Sequence, residues 1–187
     1  MARKKRPYGS SIKGKEMSKQ KILELIKDVP NFPKPGIIFK DISPLLKNDF
    51  QLAIDEFENL FTPEEWKKVD YIVGIESRGF IFGAALAERL GKGLVLIRKQ
   101  GKLPGDVGSI KCTLEYGEAI LEMQPGLGNV VIIDDVLATG GTLTAAADLS
   151  TKIGYKVMGF GLLMNLTFLN NFRWQNIQAR CILEVTS

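Results

Sequence analysis

Two adjacent carboxylates followed by a turn of small, hydroxylated residues form the stretch of this sequence best suited to chemistry: residues 130–142, VVIIDDVLATGGT. The apolar run reads as a buried strand with Asp134 and Asp135 at its carboxyl end, and the spacing predicts that a helix starts after the glycines. Ligands of open α/β sheets sit in the crevice beyond such strand ends. Gly140 and Gly141 let main chain approach a ligand closely, and Thr139 and Thr142 add hydroxyl donors. With Ala138 leading into the turn, the free N–H groups and dipole of the new helix make an anion site. Two carboxylates beside a phosphate cradle would repel phosphate, so they need another task. The cis hydroxyls of a ribose would suit them, and so would a Mg²⁺ ion. Helix capping alone rarely calls for paired acids followed by Thr-Gly-Gly-Thr. The stretch is neither a Walker loop nor a GxGxxG fingerprint.

Two cationic groups lie upstream. Glu76-Ser77-Arg78-Gly79 follows the apolar run of residues 69–75, where Arg78 offers a bidentate cation and Ser77 a hydroxyl. A surface salt bridge is the plainer use of such an arginine. Arg98, Lys99 and Lys102 bring three cations into five residues, a density that by itself reads as a solvated face. The histidine count is zero, which removes Ser-His-Asp and Cys-His triads and His-ligated zinc. A general base must be a carboxylate, Tyr, Lys or water, and a metal would be a hard cation held by oxygens, Mg²⁺ foremost. The two cysteines, Cys112 and Cys181, follow no metal-ligand spacing and suit a reducing compartment.

These groups must be carried by a scaffold, and the patterning predicts one. Residues 18–28 read as a helix behind a Ser18 N-cap, with Ile22, Leu25, Ile26 and Val29 at helical spacing. A stiff proline-rich loop (30–36) leads to the short apolar run 37–39, and a second helix is expected over 49–60. From residue 69 strands (69–75, 93–97, 129–133, 156–164, 179–185) alternate with helices (80–90 and 141–153). Near-continuous apolar strands separated by helices predict an α/β fold with a mostly parallel central sheet flanked by helices on both faces. Residues 98–112 read as a long polar stretch and 114–123 as a strand pair, together a lid.

At 187 residues, 45% of them hydrophobic and 25% charged, the chain has the size and composition of one globular domain. The net charge of +4 comes largely from residues 3–15, where six cations face no acid. Residues 1–16 are therefore expected to be a disordered basic extension, with Met17 a second plausible start. No membrane-length apolar run, signal h-region or nucleic-acid-binding surface is expected, which points to the cytoplasm.

Residues 130–142 resemble the phosphoribosyl-pyrophosphate motif of the type I phosphoribosyltransferases. Four further blocks resemble the adenine-specific branch of that family: 32–44 (FPKPGIIFKDISP), 74–80 (GIESRGF), 97–104 (IRKQGKLP) and 114–117 (LEYG). The five stand in the family's order across most of residues 30–145. The resemblance implies a type I phosphoribosyltransferase fold over 17–187, with a small N-terminal hood at about 30–45 and a flexible lid at about 99–123. It implies transfer of a phosphoribosyl group from 5-phosphoribosyl-1-pyrophosphate to adenine, giving AMP and pyrophosphate with Mg²⁺, in a homodimer.

By the same resemblance Ala138, Thr139, Gly140, Gly141 and Thr142 hold the 5′-phosphate, and Asp134 and Asp135 the ribose hydroxyls or Mg²⁺. Glu76, Ser77 and Arg78 serve the pyrophosphate, and the peptide between Glu76 and Ser77 is cis. Arg98, Lys99 and Lys102 meet a second subunit's site. Glu115 on the lid is the acid/base, beside Tyr116, with Glu118 and Glu122 nearby. Ile38, Phe39 and Lys40 recognise adenine and Val136 covers its other face. The family commonly has Arg at position 40 and Leu at 136, and its link corresponding to 124–128 is longer. Two competing readings are a transferase for another purine and a non-catalytic sensor of the same donor. The first expects a base-reading lysine near the chain end, where residues 165–177 carry only Arg173; the second expects a DNA-binding module, for which residues 1–16 are too short.

Overall fold

The computed structural model describes residues 12–114 and 117–186, and divides into two units, residues 1–56 and 57–187. In the first, helix α1 (Ile12–Glu24) precedes the antiparallel pair β1 (Lys27–Pro30) and β2 (Ile38–Asp41), and α2 (Ser43–Glu58) runs on into the second unit. Helix α1 starts six residues before the expected cap. Ser18 is a buried mid-helix residue whose one hydroxyl proton lies between Glu56 Oε1 at 2.7 Å and Gly14 O at 3.2 Å. Residues 12–16, expected to be disordered, are thus helical; residues 1–11 lie outside the described chain.

Helix α2 also begins earlier than expected. The Asp41 carboxylate accepts from Ser43 N (2.9 Å) and Ser43 Oγ (2.6 Å), and Pro44 occupies the first turn, where no intrahelical N–H is needed. The periodicity starting at residue 49 has a cause: Asp49 leaves helical geometry (φ −152°, ψ 47°). Its buried carboxylate pairs with Lys21 at 2.6 Å.

The second unit opens with a short helix, α3 (Pro63–Trp66), and then alternates as patterned: β3 (Tyr71–Ile75), α4 (Arg78–Leu90), β4 (Gly93–Lys99), β5 (Gly108–Leu114), β6 (Gly117–Met123), β7 (Gly128–Leu137), α5 (Gly141–Lys152), β8 (Tyr155–Leu166) and β9 (Arg180–Val185). The seven-stranded sheet has the order β5-β6-β4-β3-β7-β8-β9. The run from β4 to β9 is parallel throughout, and β5 and β6 add an antiparallel hairpin at the β4 edge. Residues 108–112, read from sequence as loop, therefore belong to a strand. Ser109 and Lys111 alternate with Ile110 and Cys112, the period of an edge strand, which a polar, glycine-bearing segment conceals.

Alternation sorts the core. Val73, Ile75, Val130 and Ile132 pack with Leu143, Ala146 and Leu149 of α5 on one face. Ile72, Val131 and Ile133 alternate with them, and α4 covers β3 and β7 with Phe82 and Leu86 fully buried. Each such side chain contributes about 1.5–3 kcal/mol. Glycine allows α4 to sit close: a Cβ on Gly83 would come 3.3 Å from Gly74 Cα. No helix among the described residues is long and apolar enough to cross a membrane.

One feature of the sheet positions the chemistry. Strand β7 pairs with β3 only as far as Gly74↔Ile133, but with β8 as far as Leu137↔Asn165. Asp134 and Asp135 therefore lie inside the strand, not at its end as patterned, and residues 134–137 project beyond β3.

Candidate functional site

The helix expected after the glycines is present as α5. Gly140 is its N-cap at φ 87°, ψ −6°, and no side chain caps the helix, so the N–H groups of its first turn lack side-chain partners there. Gly140 is required twice over, by its left-handed backbone and because a Cβ would lie 2.9 Å from the Phe172 ring. A small cleft is lined by Asp134, Val136, Ala138, Thr139, Gly140 and Thr142, with Leu137 and Leu143 completing the wall. Leu137 and Leu143 had no assigned role, since an apolar residue in a buried strand or helix gives no sequence signal. Gly141 supplies the first residue of α5.

The two aspartates differ. Asp134 Oδ1 accepts from Asp135 N at 2.9 Å, and burial followed by the Asp135 charge pushes the Asp134 carboxyl well above the carboxylate range. Burial also raises Asp135, opposed by the Arg78 guanidinium. Arg78 Nε stands 2.8 Å from Asp135 Oδ2, an ion pair that ties the first turn of α4 to β7.

A carboxyl raised in the fold favours the folded state only where it is protonated, so its benefit is lost as pH rises above the unfolded value. Asp134→Asn is accordingly expected to raise the Tm of the ligand-free protein at pH 7 by about 2–4 °C, equivalent to about 1 kcal/mol in a chain of this size. The gap should close as pH falls towards 4, checked by thermal melts across that range. Equal Tm values at pH 7 would contradict it.

The Glu76–Ser77 peptide is cis, as the resemblance implied. Glu76 does not face an open cradle. Its carboxylate accepts from Lys102 Nζ (2.5 Å), Lys99 N (3.0 Å) and Arg98 Nη2 (3.4 Å). Burial alone would raise it, but these contacts outweigh burial and bring it to about 2. Arg98 further donates to Lys102 O at 3.0 Å and lies 5.8 Å from the Phe80 ring. The cluster of Arg98, Lys99 and Lys102 is thus an organised turn rather than a loose solvated face. Ser77 and the Lys99 and Lys102 side chains are exposed.

Glu122, an alternative acid in the sequence reading, is buried and accepts from Gly101 N at 2.9 Å. Glu118 is exposed, while Glu115 and Tyr116 lie outside the described residues. In the N-terminal unit, Ile38, Phe39 and Lys40 form most of β2. Ile38 is exposed, Phe39 meets Phe32 edge-on at 5.1 Å, and Lys40 Nζ pairs with Asp28 at 2.8 Å.

Residues 48–178 match the phosphoribosyl transferase domain. The chain is 47% identical over 169 residues to the adenine phosphoribosyltransferase of Hydrogenovibrio crunogenus, covering 90% of this chain and 98% of that one. It is 51% identical over 160 residues to that of Bdellovibrio bacteriovorus, covering 86% and 96%. The chain belongs to the adenine phosphoribosyltransferase family. The family's fold extends over nearly the whole molecule. The adenine phosphoribosyltransferase of Rhodothermus marinus superposes with a TM-score of 0.79 at 37% identity, over 91% of this chain and 99% of that one. The Saccharomyces cerevisiae adenine phosphoribosyltransferase, solved in complex with an imino-altritol bisphosphate and adenine, gives 0.77 at 37%, over 89% and 97%. The central, mostly parallel sheet flanked by helices is that of the type I phosphoribosyltransferases.

Proposed function

We infer that this chain transfers the 5-phosphoribosyl group of 5-phosphoribosyl-1-pyrophosphate to adenine, releasing AMP and pyrophosphate. The observation that carries this reading is the uncapped start of α5 set beside the half-buried Asp134 and the buried Asp135, in a chain of the adenine phosphoribosyltransferase family. In the reaction the bond from C1′ to the pyrophosphate oxygen breaks and the bond from adenine N9 to C1′ forms. The N9 proton passes to a base and the leaving group keeps the electron pair.

The backbone amides of residues 138–142, with the Thr139 and Thr142 hydroxyls, hold the 5′-phosphate. Asp134 and Asp135 take the ribose 2′- and 3′-hydroxyls, whose donated hydrogen bonds favour the ionised carboxylates. Arg78 and Ser77 meet the pyrophosphate, Arg78 held in place by Asp135. Glu76 anchors the Arg98, Lys99 and Lys102 turn, which reaches the pyrophosphate site of a second subunit in a homodimer. Ile38, Phe39 and Lys40 are assigned to adenine recognition. Tyr116 closes with the lid and excludes the water that would capture the sugar cation.

Mg²⁺ suits the donor set at β7. Among the described residues no three His, Cys, Asp or Glu side chains gather to hold a metal on their own, so the ion would share the hard oxygens of Asp134 and Asp135 with those of the donor. When bound it would neutralise charge on the leaving pyrophosphate. Cys112 and Cys181 stand outside any disulfide, which fits a cytoplasmic enzyme.

Glu115 is the acid/base of this reading. Glu115→Gln should lower kcat about 10²–10⁴-fold with Tm unchanged, read by steady-state assay and thermal melt. A near wild-type kcat would remove it from that role. The reading as a whole is tested by mixing the protein with adenine, donor and Mg²⁺ and following AMP. AMP from adenine, but no nucleotide from hypoxanthine or guanine, supports it; no AMP, or preference for another purine, overturns it.

A further inference from the structure

The segment after β8 carries no residue of the catalytic assignment, yet it touches the phosphate cradle from behind. The two N–H groups of Asn170 Nδ2 are shared among Ala138 O at 2.6 Å, Leu166 O at 3.0 Å and Asn165 Oδ1 at 3.0 Å. Its Oδ1 accepts from Phe172 N at 3.0 Å. Two of the atoms facing Nδ2 are main-chain carbonyls, which only accept, so the amide can take one orientation alone. Two residues on, the Phe172 ring lies against Gly140 and meets the buried Phe160 edge-on at 5.3 Å.

We propose that Asn170 is a positioning residue for the 5′-phosphate site, acting through the Ala138 carbonyl; this rests on the reading of residues 138–142 as that site. In a trans peptide plane the C=O and the next N–H point in opposite directions. A side chain that captures Ala138 O therefore turns the Thr139 N–H the other way, and Ala138 and Thr139 both line the cleft. Without the Asn170 donor, that plane is free to rotate, and rotation would present a carbonyl oxygen to a phosphate. Phe172 acts in the same sense one residue later, since its ring fills the space behind Gly140. Asn165, at the register position opposite Leu137, orients the amide by accepting from it.

The experiment compares wild type, Asn170→Ala and Asn170→Asp, with Asn171→Ala as an exposed control. Aspartate keeps the shape and still accepts from Phe172 N, but at neutral pH it cannot donate to Ala138 O. Ribose 5-phosphate and pyrophosphate are titrated separately by calorimetry, and KM is measured for donor and for adenine. Both Asn170 variants should bind ribose 5-phosphate at least about 10-fold more weakly and raise donor KM to match. Pyrophosphate affinity, adenine KM and the behaviour of Asn171→Ala should stay at wild-type values. If Asn170 merely caps its own turn, Asn170→Asp will bind ribose 5-phosphate like wild type, and the proposal is overturned. Asn170→Asp decides even where Asn170→Ala fails to fold. A wild type that does not bind ribose 5-phosphate would instead overturn the phosphate-site reading itself.

Discussion

Arg78→Ala is expected to lower kcat/KM about 10²–10³-fold, the usual loss when a charge-stabilising donor is removed from a developing anion. In the ligand-free protein Arg78 stands 2.8 Å from a buried carboxylate, so the substitution also leaves Asp135 without its cation. An unpaired buried charge is severely destabilising, and Asp135, already raised by burial, would take up a proton instead. Arg78→Ala should therefore melt below wild type at pH 8 and approach it as pH falls. The double variant Arg78→Ala/Asp135→Asn separates the two effects. It should recover most of the lost Tm and none of the lost turnover. A single variant with near wild-type rates would show that Arg78 only braces the fold.

Gly79→Ala is the second large effect. A Cβ at Gly79 would come 2.7 Å from Ile133 O and 2.9 Å from Asp134 Oδ1, where the first turn of α4 crosses β7. A main-chain oxygen in mid-sheet cannot yield as a flexible side chain would. The loss should reach about 3 kcal/mol, the upper part of the range for overpacking, or a Tm fall of about 6–12 °C. Donor affinity should fall with it, because the displaced atoms carry Asp134. An unchanged Tm would mean that the approach of α4 to β7 is looser than described.

Much of this molecule could be read from its chain, and the reasons differ by element. Strands β3, β7 and β8 are largely buried on both faces and β4 and β9 only in part, yet all five appear as apolar runs, and the α/β alternation follows. The strand–turn–helix passage through residues 138–142 was legible because it is local: strand, acids, glycines and helix are contiguous. What escaped the reading depends on atoms distant in sequence. Strand β5 disguises itself because an edge strand alternates polar residues. Ser18 looks like a cap, but its hydroxyl is taken up by Gly14 and by Glu56 of α2. Glu76 is expected from sequence to touch substrate, and only the fold shows its carboxylate taken up by Arg98, the Lys99 amide and Lys102. Nothing in the text of residues 165–177 hints that Asn170 would reach Ala138.

That single carboxylate has a mechanical meaning. Because Glu76 receives Lys102, Arg98 and the Lys99 amide at once, the loops leaving β3 and β4 are fastened to a common post. They form one block, so a displacement that begins at Arg98 is felt at Ser77 and Arg78. A neighbouring molecule pressing on the exposed lysines would bear on both loops at once through this post.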